Sequence, residues 1–175
     1  MGQLTVGSNP TPSAETARTL PGVDRVQFDE LMGVALDEAR AAGEHGDVPI
    51  GAVVARIDTG EVVARRHNQR EQDADPTAHA EILALRDAAR AAGSWRLDGH
   101  TLLVTLEPCP MCAGAVVAAR LGLVAFGAAD PKAGALGSLY NLAADPRLNH
   151  EVTVVDRVRA DECAALLTAF FADRR

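Results

Sequence analysis

Two cysteines three residues apart, Cys109 and Cys112, and a histidine followed two residues later by a glutamate, His79 and Glu81, are the side chains best suited to holding a metal ion and moving protons. Pro110 lies where a helix takes its first residue, so both sulfurs are expected at a helix N-terminus, on one side and beside N–H groups that lack carbonyl partners. That setting favours thiolate. Two thiolates and one neutral imidazole suit Zn²⁺, and three protein ligands leave the fourth tetrahedral corner to water. Zinc lowers the pKa of that water enough to furnish hydroxide near neutrality. Taken alone, the cysteine pair is equally consistent with a structural zinc or a redox dithiol. A structural site wants a fourth ligand. Cys163 sits in an apolar helical pattern and reads as a small core residue, and His45, His100 and His150 have no ligand-like companions.

Glu81 raises a geometric question. Two residues are a turn of about 200° on a regular helix, so spacing alone does not bring His79 and Glu81 to one site. Within reach of the metal, a carboxylate that is not a ligand would act as general base and then general acid.

The elements that must position these groups are legible in outline. Phe28, Leu31, Met32, Ala35, Leu36 and Ala39 recur at three- and four-residue steps, one apolar helical stripe ending near Gly43. Runs 50–56 and 61–67 are rich in β-branched residues and are separated by Asp58, Thr59 and Gly60, which reads as a hairpin. A helix is expected from about Ala78 to Ala92, stopped at Gly93. A buried strand follows at 101–105, then the helix opened by Pro110, strands at 123–126 and 152–155, and a last helix at 162–171. Short strands alternating with helices argue for one mixed sheet covered on both faces. The stretch from Ala128 to His150 is too long for a plain connection and is a candidate substrate-contacting loop. Residues 1–23, rich in Gly, Ser, Thr and Pro, read as a mobile extension ahead of a single domain spanning 24–175.

Composition narrows the function classes. The 175 residues carry a net charge of −7, which disfavours a broad electrostatic grip on nucleic acid, so any such partner must be held by a local patch. Three cysteines without a secretory signal argue against a disulfide framework and for the cytoplasm, and no apolar run approaches a membrane span.

His79-Ala80-Glu81 with Pro108-Cys109-Pro110-Met111-Cys112 has the His-x-Glu and Pro-Cys-x-x-Cys pattern of zinc nucleobase deaminases. Further segments accompany it in order: 48–53 (VPIGAV), 75–81 (DPTAHAE), 105–109 (TLEPC), 111–115 (MCAGA), 137–139 (GSL), 148–150 (LNH) and 161–167 (DECAALL). On these, the chain from about Phe28 to Phe171 resembles the bacterial tRNA-specific adenosine deaminases, which convert the wobble adenosine of an anticodon loop to inosine. The resemblance implies a three-layer α/β/α cytidine deaminase-like fold with a five-stranded mixed sheet, one Zn²⁺ per subunit on His79, Cys109 and Cys112, and a homodimer acting on a tRNA anticodon stem-loop. It implies hydroxide attack at C6 of adenosine 34, with Glu81 shuttling protons. Substrate contacts are implied for Asn68, Ala80, Asp130, Lys132, Ser138 and Asn149. Departures are His67, where the family often has an aromatic ring, and Ala129, where a relative can have Arg; Arg65, Arg66 and Arg70 offer charge nearby. Two competing readings are a deaminase of a free base or nucleoside (guanine, cytosine or cytidine) on the same fold, and a zinc-stabilised binding module without catalysis.

Overall fold

The apolar stripe of the first helix, α1 (Arg25–Glu44), is buried along its length, from Phe28 and Leu31 to Ala39 and Ala42. It lies on a sheet whose first strand begins with a glycine for a steric reason. A Cβ on Gly51 would overlap the backbone of Ala35 and Ala39, so only glycine lets helix and strand approach this closely. The computed structural model describes residues 25–172 and Arg174, so the expected extension 1–23 lies outside the described residues.

The expected hairpin is present: β1 (Gly51–Arg56) pairs antiparallel with β2 (Val62–His67). Gly60, at φ +72°, closes the turn. A single helical turn, α2 (Arg70–Asp73), precedes α3 (Ala80–Ala92), β3 (His100–Leu106), α4 (Pro110–Ala118), β4 (Leu123–Ala128), β5 (Thr153–Val155) and α5 (Ala160–Ala172). The strand order is β2-β1-β3-β4-β5, antiparallel from β2 to β3 and parallel from β3 to β5, a five-stranded mixed sheet.

Alternation along the strands sorts the core into two halves. Ala52, Val54, Leu102, Val104, Val124 and Phe126 face α3 and α4. Val53, Ala55, Leu103, Leu123 and Ala125 face α1 and α5. Cys163 is buried on α5, and a Cβ on Gly127 would collide with it, so it is the core residue its pattern indicated. The result is the three-layer α/β/α sandwich, and among the described residues no helix is long and apolar enough to cross a membrane.

Two expectations need correcting. Helix α3 starts at Ala80 rather than Ala78, because Asp75 and Thr77 form a tight turn that holds 77–79 out of the helix. Helix α5 starts at Ala160, two residues early. The long segment from 128 to 150 carries a 3-10 turn at Leu142–Ala144, and its buried Ala135, Leu136 and Ala143 tie it into the core beside α4.

Candidate active site

The late start of α3 resolves the question of Glu81. His79 is the residue before the helix, with extended backbone (φ −72°, ψ 145°), while Glu81 is the second residue inside it. The helical angle between them therefore does not apply, and both side chains turn to the same end of the sheet. Cys109 stands in the same relation to α4: it precedes the helix with extended backbone (φ −71°, ψ 172°), Pro110 opens the helix and Cys112 completes the first turn. Two helix N-termini thus meet, and their unpaired N–H groups favour negative charge there.

His79 Nδ1 lies 3.5 Å from Cys112 Sγ and 3.8 Å from Cys109 Sγ, and the three donor atoms fall within 4.8 Å of one another. A tetrahedral ion with Zn–S of about 2.3 Å and Zn–N of about 2.05 Å separates nitrogen from sulfur by about 3.6 Å, so the donor set fits a metal of that size. Among the described residues it is the one cluster of three or more such side chains close enough to hold a metal. Hydrogen bonds from the Cys112 thiol and His79 hold the Cys109 thiol down to about 3, a thiolate at any physiological pH. Cys112, which keeps the shared proton and is buried, is pushed up, and His79 is raised by its bond to Cys109.

Glu81 is 4% exposed. Burial, above all, raises its carboxyl above the usual range. The carboxylate meets the Cys112 thiol, while its Oε2 is buried and touches no hydrogen-bond donor of the chain. A buried carboxylate oxygen without a partner is costly in a structural role and useful in a chemical one.

This arrangement belongs to a known group of proteins. The MafB19-like deaminase family model matches residues 26–175. A tRNA-specific adenosine deaminase of Bacillus subtilis is 53% identical over 148 residues, covering 84% of this chain and 91% of that one. The chain belongs to the tRNA-specific adenosine deaminase family. A solved structure from work on A-to-I editing by tRNA:A34 deaminases at the wobble position superposes with a TM-score of 0.75 at 44% identity, covering 79% of this chain and 99% of the other. A guanine deaminase from Nitrosomonas europaea is more distant, with a TM-score of 0.70 at 28% identity over 82% of this chain and 84% of that one.

In this deaminase the outer residues divide into those at the site and those away from it. Asn68 follows β2, and the next residue, Gln69, bonds through its N–H to the Ala78 carbonyl, which draws this segment against His79. Asn68 is 3% exposed; its Nδ2 faces Asp47 at 3.5 Å and its Oδ1 has no partner. Ala80 is buried in the core by its methyl group, so only its backbone can face a ligand. The Asp130 carboxylate accepts the N–H groups of Lys132 and Ala133, the Ser138 hydroxyl donates to Glu107, and the Lys132 side chain is exposed. Asn149 is not brought to this site within the chain. It accepts a hydrogen bond at 3.0 Å from Arg120, which follows the C-terminal end of α4, whereas Cys109 precedes its N-terminal end.

His67 faces away from the site. Its Nδ1 bonds to Glu38 of α1 at 2.8 Å and its ring stacks on His45, so the residue that replaces an aromatic ring packs on the opposite side of the sheet. Arg65 pairs with Glu38 and Arg66 with Asp87, on opposite faces. The charge of Arg70 opposes protonation of His79.

Two buried acids escaped the sequence reading. Asp47, 1% exposed, accepts the N–H groups of Glu71 and Gln72 and so caps α2 from a distance. Glu107, 2% exposed, lies two residues before Cys109. The one signal available was an acidic residue wedged between an apolar strand and a Pro-Cys pair.

Proposed function

We propose that the chain deaminates adenosine to inosine at the wobble position of a tRNA anticodon loop, as a zinc enzyme. The observation that carries this reading is the meeting of His79, Cys109 and Cys112 at two helix N-termini with the unpartnered carboxylate of Glu81 beside them. The named activities of its close relatives support the choice of substrate. His79, Cys109 and Cys112 would hold the ion, and zinc bound there supplies a Lewis acid that lowers the pKa of water.

The chain's own groups do the rest. Glu81 takes a proton from the attacking water and passes it to N1 of the ring as the C6–O bond forms; it then takes the second proton from the new C6 hydroxyl and delivers it to the amine as the C6–N bond breaks, leaving a C6 carbonyl and ammonia. Its raised pKa suits a group that must both hold and release a proton. Asn68 Oδ1, buried and unpartnered, receives a donor from the flipped-out nucleoside, and the Ala80 N–H caps the base. Lys132 and Arg70 offer cations to the flanking phosphates of an otherwise acidic chain. Asp130 and Ser138 act through the shape of their loop, and Asn149 serves a surface away from the cluster. The exposed large apolar side chains Met111, Leu139, Tyr140 and Leu148, on α4 and the segment that follows β4, support a homodimer, since a second copy would cover them. The compartment is the cytoplasm, where tRNA is available.

The test is incubation of the zinc-loaded protein with total tRNA, with inosine read position by position, beside free guanine, cytosine and cytidine. Inosine confined to position 34 is the expected result. Turnover of the small molecules alone would replace this reading with that of a free-base deaminase, and bound zinc without ammonia release from any of them would leave a binding module.

A further inference from the structure

Glu107 sits between the end of β3 and the metal-capable turn that starts at Cys109, and its carboxylate is saturated by a segment far along the chain. Oε1 accepts the N–H groups of Leu136 and Ser138, each at 3.0 Å. Oε2 accepts the N–H of Asp130 at 3.0 Å and the hydroxyl of Ser138. Two backbone bonds reinforce the attachment: Glu107 N–H to the Ala128 carbonyl at 2.8 Å, and Ala135 N–H to the Pro108 carbonyl at 2.9 Å. Gly134 packs so near that a Cβ there would overlap the carboxylate and the Asp130 carbonyl.

All four side-chain bonds come from neutral groups of one loop, and none from Lys or Arg. A buried carboxylate so arranged does not form an ion pair; it templates backbone, fixing three N–H vectors at once. The loop wraps it between Asp130 and Ser138, and the Asp130 carboxylate is turned back on its own turn, leaving Lys132 as the exposed cationic side chain at the rim. The distance from this rim to Cys109 is set through two residues, Glu107 and Pro108.

We propose that Glu107 is a positioning residue: it sets the 130–138 loop, and with it Lys132, at a fixed reach from the Cys109 turn, so that RNA held by the loop delivers its base to Glu81. This rests on the RNA deaminase reading above and adds to it a link between substrate binding and the metal turn. Glu107→Gln keeps the shape but places an amide donor against N–H or O–H donors. Gly134→Ala leaves the carboxylate intact and pushes the loop off it, so the two variants attack one contact from opposite sides.

The experiment measures zinc content, kcat and KM on an anticodon stem-loop, stem-loop Kd, and hydrogen exchange at the Asp130, Leu136 and Ser138 amides, all on the zinc-loaded full chain. Both variants are expected to keep one zinc, to exchange these amides faster, and to raise KM and Kd by about tenfold, as for one charge-assisted hydrogen bond, with kcat within about threefold. Unchanged KM and Kd despite faster exchange would overturn the proposal, as would loss of zinc and kcat at constant KM. A wild-type protein that binds the stem-loop without deaminating it would sink the proposed reaction alone, because Kd and exchange still read the loop. Should Glu107→Gln not fold, Gly134→Ala carries the same decision.

Discussion

Glu81 and Glu107 are the two buried glutamates of the site edge, and each stands two residues from a metal-capable side chain, Glu81 after His79 and Glu107 before Cys109. Their surroundings are opposite. Glu107 is met by three N–H groups and a hydroxyl, and both oxygens are satisfied. Glu81 has one oxygen with no donor from the chain and a carboxyl raised by desolvation. Burial alone therefore does not separate an acid that does chemistry from one that holds shape. The count of donors does, because a folded chain satisfies the polar groups it uses for structure and leaves open those it presents to a ligand.

The largest effect expected from that contrast is on catalysis. Glu81→Gln should leave zinc bound at one per chain and lower inosine formation by about 10²–10⁴-fold, the usual worth of a positioned acid–base group. Cys109→Ala should lose both zinc and activity, since it removes an anionic ligand. Metal analysis beside the inosine assay reads both. Zinc lost along with the Glu81 carboxylate would make it a ligand and erase the distinction drawn here.

The two acids should also have opposite effects on stability. Removing the Glu107 side chain by Glu107→Ala orphans several buried donors at about 1–3 kcal/mol each before any water enters, and Tm falls about 2–4 °C for each kcal/mol lost. Glu81→Gln should instead raise the Tm of the metal-free protein at neutral pH. The folded state holds the Glu81 proton more tightly than the unfolded chain, whose carboxyl titrates near 4.5. Stability then drains away as pH rises through 4.5 toward the folded pKa, opposite in sign to an ordinary salt-bridged carboxylate. The glutamine has no such slope, so its advantage should be absent at about pH 4 and grow toward neutrality. Calorimetric scans of both metal-free proteins at the two pH values check the sign; equal Tm values at neutral pH would show that the buried carboxylate is not strained.

The parts of the molecule legible in the sequence are those governed by near neighbours. The stripe from Phe28 to Ala39 repeats with the helical period and is buried as a unit, and Gly60 closes the hairpin where a positive φ is required. Cys109, Pro110 and Cys112 carry their own helix start. What escaped is set by distant partners. The start of α3 depends on a turn from Asp75 to Thr77, and a two-residue error there places His79 and Glu81 on opposite sides of a helix. The work of Glu107 depends on amides 23 to 31 residues away, and no local pattern records that an acid after an apolar strand is inside rather than at a turn.

Asp47 offers the smallest and finest test, because it combines both characters. Its Oδ1 accepts the Glu71 N–H at 3.1 Å and its Oδ2 the Gln72 N–H at 3.3 Å, a cap supplied across 24 and 25 residues, and so it is structural in the manner of Glu107. It also faces Asn68 Nδ2, and an acceptor there turns the amide so that the unpartnered Oδ1 points elsewhere, toward a ligand. Asp47→Ala should therefore cost about 1 kcal/mol, the usual price of a lost cap, and be read as a lower urea midpoint at unchanged slope. Asp47→Asn keeps acceptor oxygens for only part of the set and should fall between. If the Asn68 amide is set by Asp47, both variants should also raise KM for the stem-loop while leaving zinc in place; a stability loss with KM unmoved would assign Asp47 wholly to the cap of α2.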